Sequence, residues 1–245
     1  HGCKIQRSGS EGGYTYSVAS DYANRPVNFV SYWDACRFSN WLNNGQGDGD
    51  TETGAYFLNG YNGNDGRTIQ RNSSAEWFLP SEDEWYKAAY YKGGGTNAGY
   101  WEYPTQSDTM PSNKVVSSDP GNSANFYSNG YTISTPYWRT NAGEFENSES
   151  AYGTFDQGGN VSEWTEAIVY ENSGNAYRGV RGGSYGGEDD YGLRASTRDC
   201  YSSPTSELAY IGFRVADSSV PEPSSLLAVI TGGLGMLLGF RRRCR

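Results

Sequence analysis

Two carboxylates seven residues apart, Asp156 and Glu163, give this sequence its clearest capacity for chemistry. They lie at the two ends of a segment that contains Gly158 and Gly159. Because glycine adopts backbone conformations that other residues avoid, this segment can turn back on itself. A hard cation such as Ca²⁺ takes roughly six to eight oxygen ligands from carboxylates and backbone carbonyls. The pattern favours a calcium loop. The structural alternative is that Glu163 caps backbone amides while the neighbouring Trp164 fills the core.

Imidazole chemistry is excluded within this chain, because His1 is its single histidine. Ser-His-Asp catalysis, histidine-ligated zinc and the facial triad of non-haem iron all need histidine at a fixed place in the fold.

The four cysteines form no C-x-x-C pair and no zinc-binding spacing; they are Cys3, Cys36, Cys200 and Cys244. Cys36 falls in a predicted helix and is expected to be a small buried residue. A Cys3–Cys200 disulfide is an open alternative for an exported protein.

Arginines and aromatic residues supply a second class of candidate site. The arginines of the last third can pin loops through bidentate bonds to carboxylates, or they can line a ligand groove. The aromatic residues in apparent loops can stack on sugar rings, or they can fill the core. The candidates for ligand binding are Arg181, Arg194, Arg198, Tyr137 and Trp138.

Two helices are predicted to hold these segments. Ser31 and Asp34 form a cap signal, Ala35, Phe38 and Leu42 recur on one face, and the glycines after residue 44 end the helix. A short strand is expected at 26–30, before this helix.

The second helix begins at the capping box of Ser81 and Glu84, with Trp85, Ala88 and Ala89 as its buried stripe, and Gly93 to Gly95 stop it. Residues 45–72 are predicted to form a solvated hairpin rather than a calcium loop, since they lack the EF-hand pattern. From residue 95 to Tyr177 we expect mostly irregular loops with short strands.

Charge excludes one class of partner. The whole chain carries a net charge of −9, and without the segment after Ser219, which holds four arginines, the rest carries about −12. A nucleic-acid-binding surface needs a basic stripe, and the sequence has none. The acidic balance is instead compatible with solubility and with cations.

Four ordered blocks resemble the sulfatase-modifying-factor family, the formylglycine-generating enzymes. They are Gly159-Asn-Val-Ser-Glu-Trp164, Arg181-Gly-Gly-Ser-Tyr185, Arg194-Ala-Ser-Thr-Arg198 and Gly212-Phe-Arg214. The resemblance spans about residues 26–216. It implies an α+β, loop-rich fold related to C-type-lectin-like domains, with two helices against small antiparallel sheets. Because relatives carry a strand-rich opening before this region, we expect the sequence to lack its own N-terminus.

The resemblance also implies ligand sets for calcium. One set comprises Asp156, the carbonyls of Gly159 and Val161, and Glu163. A weaker second site would use Asn125 and the Phe126 carbonyl, but its downstream acid falls near Ser134, which carries no charge.

The family's oxidases use two cysteines five residues apart to bind copper(I), and the matching positions here are Asp190 and Ala195. A soft metal needs thiolate ligands, and neither a carboxylate nor a methyl group replaces them. No catalytic residue is therefore assigned, and copper is not expected. Phe78 stands where relatives commonly have arginine.

The C-terminal segment resembles the PEP-CTERM sorting signal: Pro221-Glu222-Pro223, an uncharged stretch from Leu226 to Phe240, then Arg241, Arg242 and Arg243. At ~1.5 Å per residue the stretch reaches about 22 Å, a marginal membrane span. The resemblance implies processing by an exosortase in a Gram-negative bacterium, with the body outside the membrane. An ordinary anchor or a buried helix is the alternative.

The sequence thus predicts a domain over 1–217, a linker over 218–225 and a sorting helix with a basic tail over 226–245. The favoured function is an exported, non-oxidase domain that binds polysaccharide or protein at the cell surface and is stabilised by Ca²⁺. A formylglycine-generating oxidase with unrecognised chemistry and a purely structural matrix protein are the alternatives.

Overall fold

A computed structural model describes residues 2–95, 97–187, 189–198 and 201–218. The described chain is α+β and loop-rich, with two α-helices, one short 3₁₀ helix and eight strands, as predicted.

The first helix, α1, spans Tyr32–Asn43 and begins where the sequence indicates. Ser31 Oγ accepts a hydrogen bond from the Asp34 amide, and the Asp34 carboxylate accepts one from the Ser31 amide, which satisfies two otherwise orphaned donors. Its buried residues are Tyr32, Trp33, Ala35, Cys36, Ser39 and Asn40. The predicted stripe was therefore partly wrong: Ala35 faces the core, but Phe38 is exposed.

The second helix, α2, spans Glu82–Tyr90, and its capping box of Ser81 and Glu84 is confirmed. Trp85 and Ala89 are buried as predicted, and Tyr90, the last residue, is fully buried as well. Ala88 is only half-buried.

The strands form three small sheets. A β1–β2 hairpin and a β3–β8 pair are antiparallel, and a four-stranded sheet has the order β6-β5-β4-β7, in which β4 and β7 run parallel. The strands are β1 Ile5–Ser8, β2 Thr15–Val18, β3 Trp77–Phe78, β4 Ser162–Asn172, β5 Asn175–Arg181, β6 Tyr201–Ser202, β7 Ile211–Gly212 and β8 Ala216–Asp217.

The main core lies between α1 and the four-stranded sheet. Tyr32, Trp33 and Trp164 are nearly solvent-free, and Tyr32 contacts both tryptophans edge to face, an arrangement that aromatic rings favour. Cys36 is buried in this cluster, as predicted. A second, smaller cluster surrounds Phe126 and Leu193, and a third joins Trp85, Ala89 and Tyr90 of α2.

One prediction of local structure was wrong: residues 26–30 form no strand, and Phe29 has a left-handed backbone. The prediction of mostly irregular loops before Tyr177 is confirmed for residues 97–161, which contain no helix or strand. It fails only at β4, a strand of 11 residues rather than a short one. Its side chains do not alternate between faces regularly, because two register shifts interrupt the β4–β5 ladder.

No helix among the described residues is long and apolar enough to cross a membrane. The predicted linker, sorting motif and C-terminal helix lie, except for Ser218, outside the described residues, as do Cys200 and Cys244.

Candidate functional site

The loop that precedes β4 is shaped by three residues with left-handed backbones: Asp156, Gly159 and Asn160 have φ of 56°, 79° and 61°. Glycine is required at 159, because a Cβ there would lie 2.2 Å from the Asn125 carbonyl oxygen. The Gly159 amide donates to the Gly182 carbonyl at 2.7 Å, and the Asn160 amide donates to the Asn125 carbonyl at 2.7 Å. These bonds hold the loop against two other segments.

Glu163 lies in β4 with its side chain only 6% exposed. Its Oε2 accepts hydrogen bonds from Trp85 Nε1 at 2.6 Å and Arg214 Nε at 2.5 Å, and its Oε1 accepts one from Arg214 Nη2 at 2.7 Å. A carboxylate offers about four lone-pair positions. Three are used here, so Glu163 keeps one position on Oε1 for a further ligand.

Asp156 faces the same space as Glu163. Both line a pocket of about 400 Å³, together with Val161 and Gly143. Burial raises the pKa of Asp156. The Gly143 amide, which donates to Asp156 Oδ2 at 2.7 Å, and the Arg214 charge oppose this rise, while the Glu163 charge adds a smaller contribution to it. A half-buried carboxylate beside a second one is an environment that a cation would stabilise.

The donor set fits a hard cation in its chemistry. Two carboxylates and Val161, whose carbonyl the resemblance implies as a ligand, surround one pocket, while Gly159 shapes the loop between them. Among the described residues no group of three or more His, Cys, Asp or Glu side chains converges. Calcium would therefore depend on backbone oxygens and on the single open position of Glu163.

The implied second site has different bonding. The Phe126 carbonyl accepts hydrogen bonds from Asn113 Nδ2 and Thr132 Oγ1, both at 3.2 Å. Asn125 Nδ2 donates to the Trp138 carbonyl at 3.0 Å and to Asn160 Oδ1 at 3.1 Å. These residues act here as an internal network that ties the segment before Trp138 to the loop of Gly159.

Asp190, which the resemblance places at the first thiol position, is buried and accepts hydrogen bonds on both carboxylate oxygens. Arg194 Nε and Nη2 donate to its two oxygens at 2.9 and 3.1 Å, and Tyr103 Oη donates to Oδ2. Burial raises the pKa of Asp190, but the hydrogen bonds from Tyr103 and the charged Arg194 outweigh it and hold the pKa below its ordinary value. In turn, burial and then the bond to Asp190 raise the pKa of Tyr103 to about 12.

Ala195, which the resemblance places at the second thiol position, packs against the cluster of Trp85, Ala89 and Tyr90. Its carbonyl accepts a 3.3 Å hydrogen bond from Arg181 Nη2, and its amide donates to the Glu102 carbonyl at 2.8 Å. The Arg181 guanidinium is buried and lies within 5.8 Å of the ring centres of Trp85, Tyr86 and Tyr90. Arg181 thus stabilises this segment through cation–π contacts.

The remaining candidates lie in separate surroundings. Arg198 is paired with Glu82 at the start of α2, with an N–O distance of 2.9 Å. Tyr137 Oη donates to Asp21 Oδ2 at 3.1 Å, and the Arg25 guanidinium lies 4.0 Å from its ring centre. Trp138 is nearly parallel to Tyr185, with ring centres 6.2 Å apart.

Sequence reasoning missed several residues of these sites. Tyr103, which bonds Asp190, is not among the predicted candidates, and neither are Tyr131 and Tyr185, which both contact Trp138. The sequence did hold one signal that could have found Tyr131: residues 120–138 contain no charged side chain and are rich in Tyr, Ser and Asn.

Comparison with known proteins agrees with the fold. The model of the sulfatase-modifying factor enzyme 1-like domain matches residues 1–219, so the chain belongs to this family. Its fold is that of the formylglycine-generating enzymes.

Solved structures resemble the chain at low identity. The crystal structure of CarF is 24% identical with a TM-score of 0.52, and the match covers 88% of this chain and 75% of that one. Variable protein 1 of Treponema denticola is 20% identical with a TM-score of 0.47, and the match covers 82% of this chain and 74% of that one. At such identity CarF supports the fold alone. A search of curated protein sequences gave no match.

Proposed function

We propose that this chain is a non-oxidase member of its family: an exported domain, stabilised by Ca²⁺, that binds a polysaccharide or a protein at the cell surface. One observation carries the proposal. The position of the first family thiol holds Asp190, whose two oxygens are bound by Arg194 and Tyr103.

The chemistry of Asp190 argues against copper(I). A soft monovalent metal prefers thiolate, whereas a carboxylate is a hard ligand. The Arg194 guanidinium would also have to leave Asp190 before any metal approached, and Arg194 would then lose a bidentate partner. Ala195 offers only a methyl group. The segment is therefore better suited to a fixed scaffold than to redox turnover.

The test is a direct assay of the purified full chain. We expect no copper(I) binding in competition with a chelator, and no aldehyde in a Cys-x-Pro-x-Arg peptide incubated with copper and oxygen. The double variant Asp190→Cys with Ala195→Cys is the matched control, because it restores both thiols at the family spacing.

A single result would overturn the proposal in favour of an oxidase. That result is efficient peptide turnover by the unmodified chain, lost in Cys200→Ser, because it would place an active thiol elsewhere in the sequence.

Calcium is proposed as a structural ion at Asp156 and Glu163. Support comes from the shared pocket and from the raised pKa of Asp156, which burial causes even though the Arg214 charge in the same pocket opposes it. The ion would neutralise both carboxylates and hold the loop of Gly159 against β4.

Export and transient anchoring in the inner membrane are proposed from the sequence of residues 221–245, with an exosortase as the processing partner. Intact mass spectrometry of cell-surface protein should find a chain that ends near Pro223. Recovery of the full C-terminus through Arg245 would instead indicate an ordinary anchor.

A further inference from the structure

A continuous row of aromatic rings lies on the surface formed by residues 127–138 and the loop after β5. The Tyr127 and Tyr131 ring centres are 4.9 Å apart, those of Tyr131 and Trp138 are 4.5 Å apart, and Trp138 lies 6.2 Å from Tyr185. We call these four residues the aromatic row.

The row is open to solvent at one end and half-buried at the other. Tyr127 and Tyr131 are 37% and 45% exposed, while Trp138 and Tyr185 are half-buried. Tyr185 Oη donates to the Ala209 carbonyl at 3.5 Å, which brings the row close to Tyr210, 46% exposed. Contiguous exposed apolar surface of this kind marks an interaction site more often than a single exposed ring does.

The longer of the two segments that carry the row is electrically neutral, although the whole chain carries −9. Residues 120–138 contain no charged side chain. Of the two flanking charges, Asp119 is buried and turned inward to Asn147 and Ser148, and Arg139 is buried and donates to the Pro26 carbonyl. At the rim Asp21 and Arg25 contact Tyr137, and the exposed Asp189 lies four residues after Tyr185 in the sequence.

The polar side chains beside the row are hydroxyls and amides. Asn129, Ser134 and Thr135 are exposed, and Ser128 is half-buried. Aromatic faces can stack on the C–H face of a sugar ring, and small hydroxyl and amide groups are adaptable hydrogen-bonding partners. An anionic polymer would find no cation along the row and would be repelled by the acidic chain.

We propose that the aromatic row binds a neutral polysaccharide. This inference rests on the proposed function, whose ligand class it names. A sugar unit would stack on Trp138 or Tyr185, with Tyr127 and Tyr131 as the exposed wall and the flanking hydroxyls and amides as hydrogen-bonding partners.

Affinity electrophoresis of the purified full chain tests the proposal, with dextran, hydroxyethyl cellulose and galactomannan as neutral probes and alginate as the acidic probe. At least one neutral gel should retard the chain, and alginate should not. Tyr131→Ala should weaken retardation about tenfold, since it removes a ring of the wall, and Tyr131→Trp should retain it.

The matched control is Tyr170→Ala. Tyr170 is 47% exposed and contacts Tyr177 and Tyr201 on the four-stranded sheet, so it belongs to a different ring cluster. The Tyr170→Ala variant should be retarded by the neutral polysaccharides as strongly as the unmodified chain. Both Ala variants replace exposed rings, and their melting temperatures should stay close to that of the parent.

Three outcomes would overturn the inference: retardation by alginate alone, neutral binding unchanged in both Tyr127→Ala and Tyr131→Ala, or no retardation in any neutral gel. Binding to alginate or to a protein in place of a neutral polysaccharide would overturn this inference but would still agree with the proposed function, a ligand-binding domain. Peptide oxidation by the unmodified chain would overturn the proposed function separately, whatever the gels show.

Discussion

Glu163 and Arg214 form a bidentate ion pair with N–O distances of 2.5 and 2.7 Å, although 51 residues separate them in the sequence. Arg214 Nη2 also donates to the Phe155 carbonyl at 3.0 Å. The pair therefore joins β4, the segment after β7 and the loop before β4. Any cation at Asp156 would share Glu163 with this arginine.

Replacing Arg214 should strongly lower the free energy of unfolding. Arg214→Met would leave the Glu163 charge buried with Trp85 as its remaining neutral donor, and loss of one partner of a buried pair costs roughly 3–5 kcal/mol. Urea unfolding measures this loss. In the double variant Glu163→Gln with Arg214→Met, the free energy of unfolding should fall by less than the sum of the two single-variant decreases, because no uncompensated charge remains.

Arg198→Met is the control for that experiment. Arg198 is 69% exposed, so breaking its pair with Glu82 should cost at most about 1 kcal/mol. Equal losses for the Arg198 and Arg214 variants would contradict the assigned role of the Glu163–Arg214 pair.

Calcium should raise the melting temperature of the chain and a chelator should lower it. A ligand that binds only the folded state adds about 2.7 kcal/mol at a hundredfold excess over its Kd. Asp156→Ala should abolish the difference, whereas replacement of the exposed Asp48 by alanine should keep it. Identical melting curves with and without chelator would contradict the calcium site.

The pH dependence of stability should report on Asp190. Its native pKa lies below the ordinary value, because the bonds from Tyr103 and Arg194 outweigh the effect of burial. The stability that ionised Asp190 contributes is therefore fully present above the unfolded pKa, about 3.9, and is lost as pH falls through the lower native pKa.

The measurement compares unfolding free energies of the unmodified chain and Asp190→Asn from pH 3 to pH 7. The difference should be constant above about pH 5 and shrink toward pH 3. In Tyr103→Phe, which removes one donor, the native pKa of Asp190 should lie closer to the unfolded value, so the decline over the same pH range should be smaller. A difference between the unmodified chain and the Asp190→Asn variant that does not change with pH would show that the carboxylate is not stabilised in its charged form.

Gly159→Ala should destabilise the chain more than Gly174→Ala. Both glycines have left-handed backbones, with φ of 79° and 87°, so the conformational strain is similar. A Cβ at 174 meets open space, whereas one at 159 would lie 2.2 Å from the Asn125 carbonyl oxygen. Relief of that clash should add roughly 1–3 kcal/mol to the loss, measured by urea unfolding. Equal losses would mean that the Gly159 loop is not tightly held against Asn125.

The sequence alone predicted the helix starts, because a cap depends on residues three positions apart. Ser31 with Asp34 and Ser81 with Glu84 form the expected capping boxes. Burial on α1 was predicted less well. Phe38 fits the helical repeat, yet it lies on the surface beside Phe213 and Trp41, since the position of the neighbouring chain decides which face is covered.

Ordered motifs also indicated the family, and with it the fold, because glycine, arginine and tryptophan occur there in a fixed order that few folds share. The resemblance also predicted that Asp190 and Ala195 stand at the positions of the two thiols. It could not show what Asp190 does, since its partner Tyr103 lies 87 residues away.

Tertiary structure alone decided the side-chain partnerships of the candidate sites. Trp138 meets Tyr185, Glu163 meets Arg214 and the loop of Gly159 meets Asn125 only after distant segments pack together. Local propensity acts over a few residues, whereas these contacts form where the sheet, α2 and the loops bury their apolar faces against one another. The aromatic row exists for the same reason: its rings come from two segments that only the folded chain brings together.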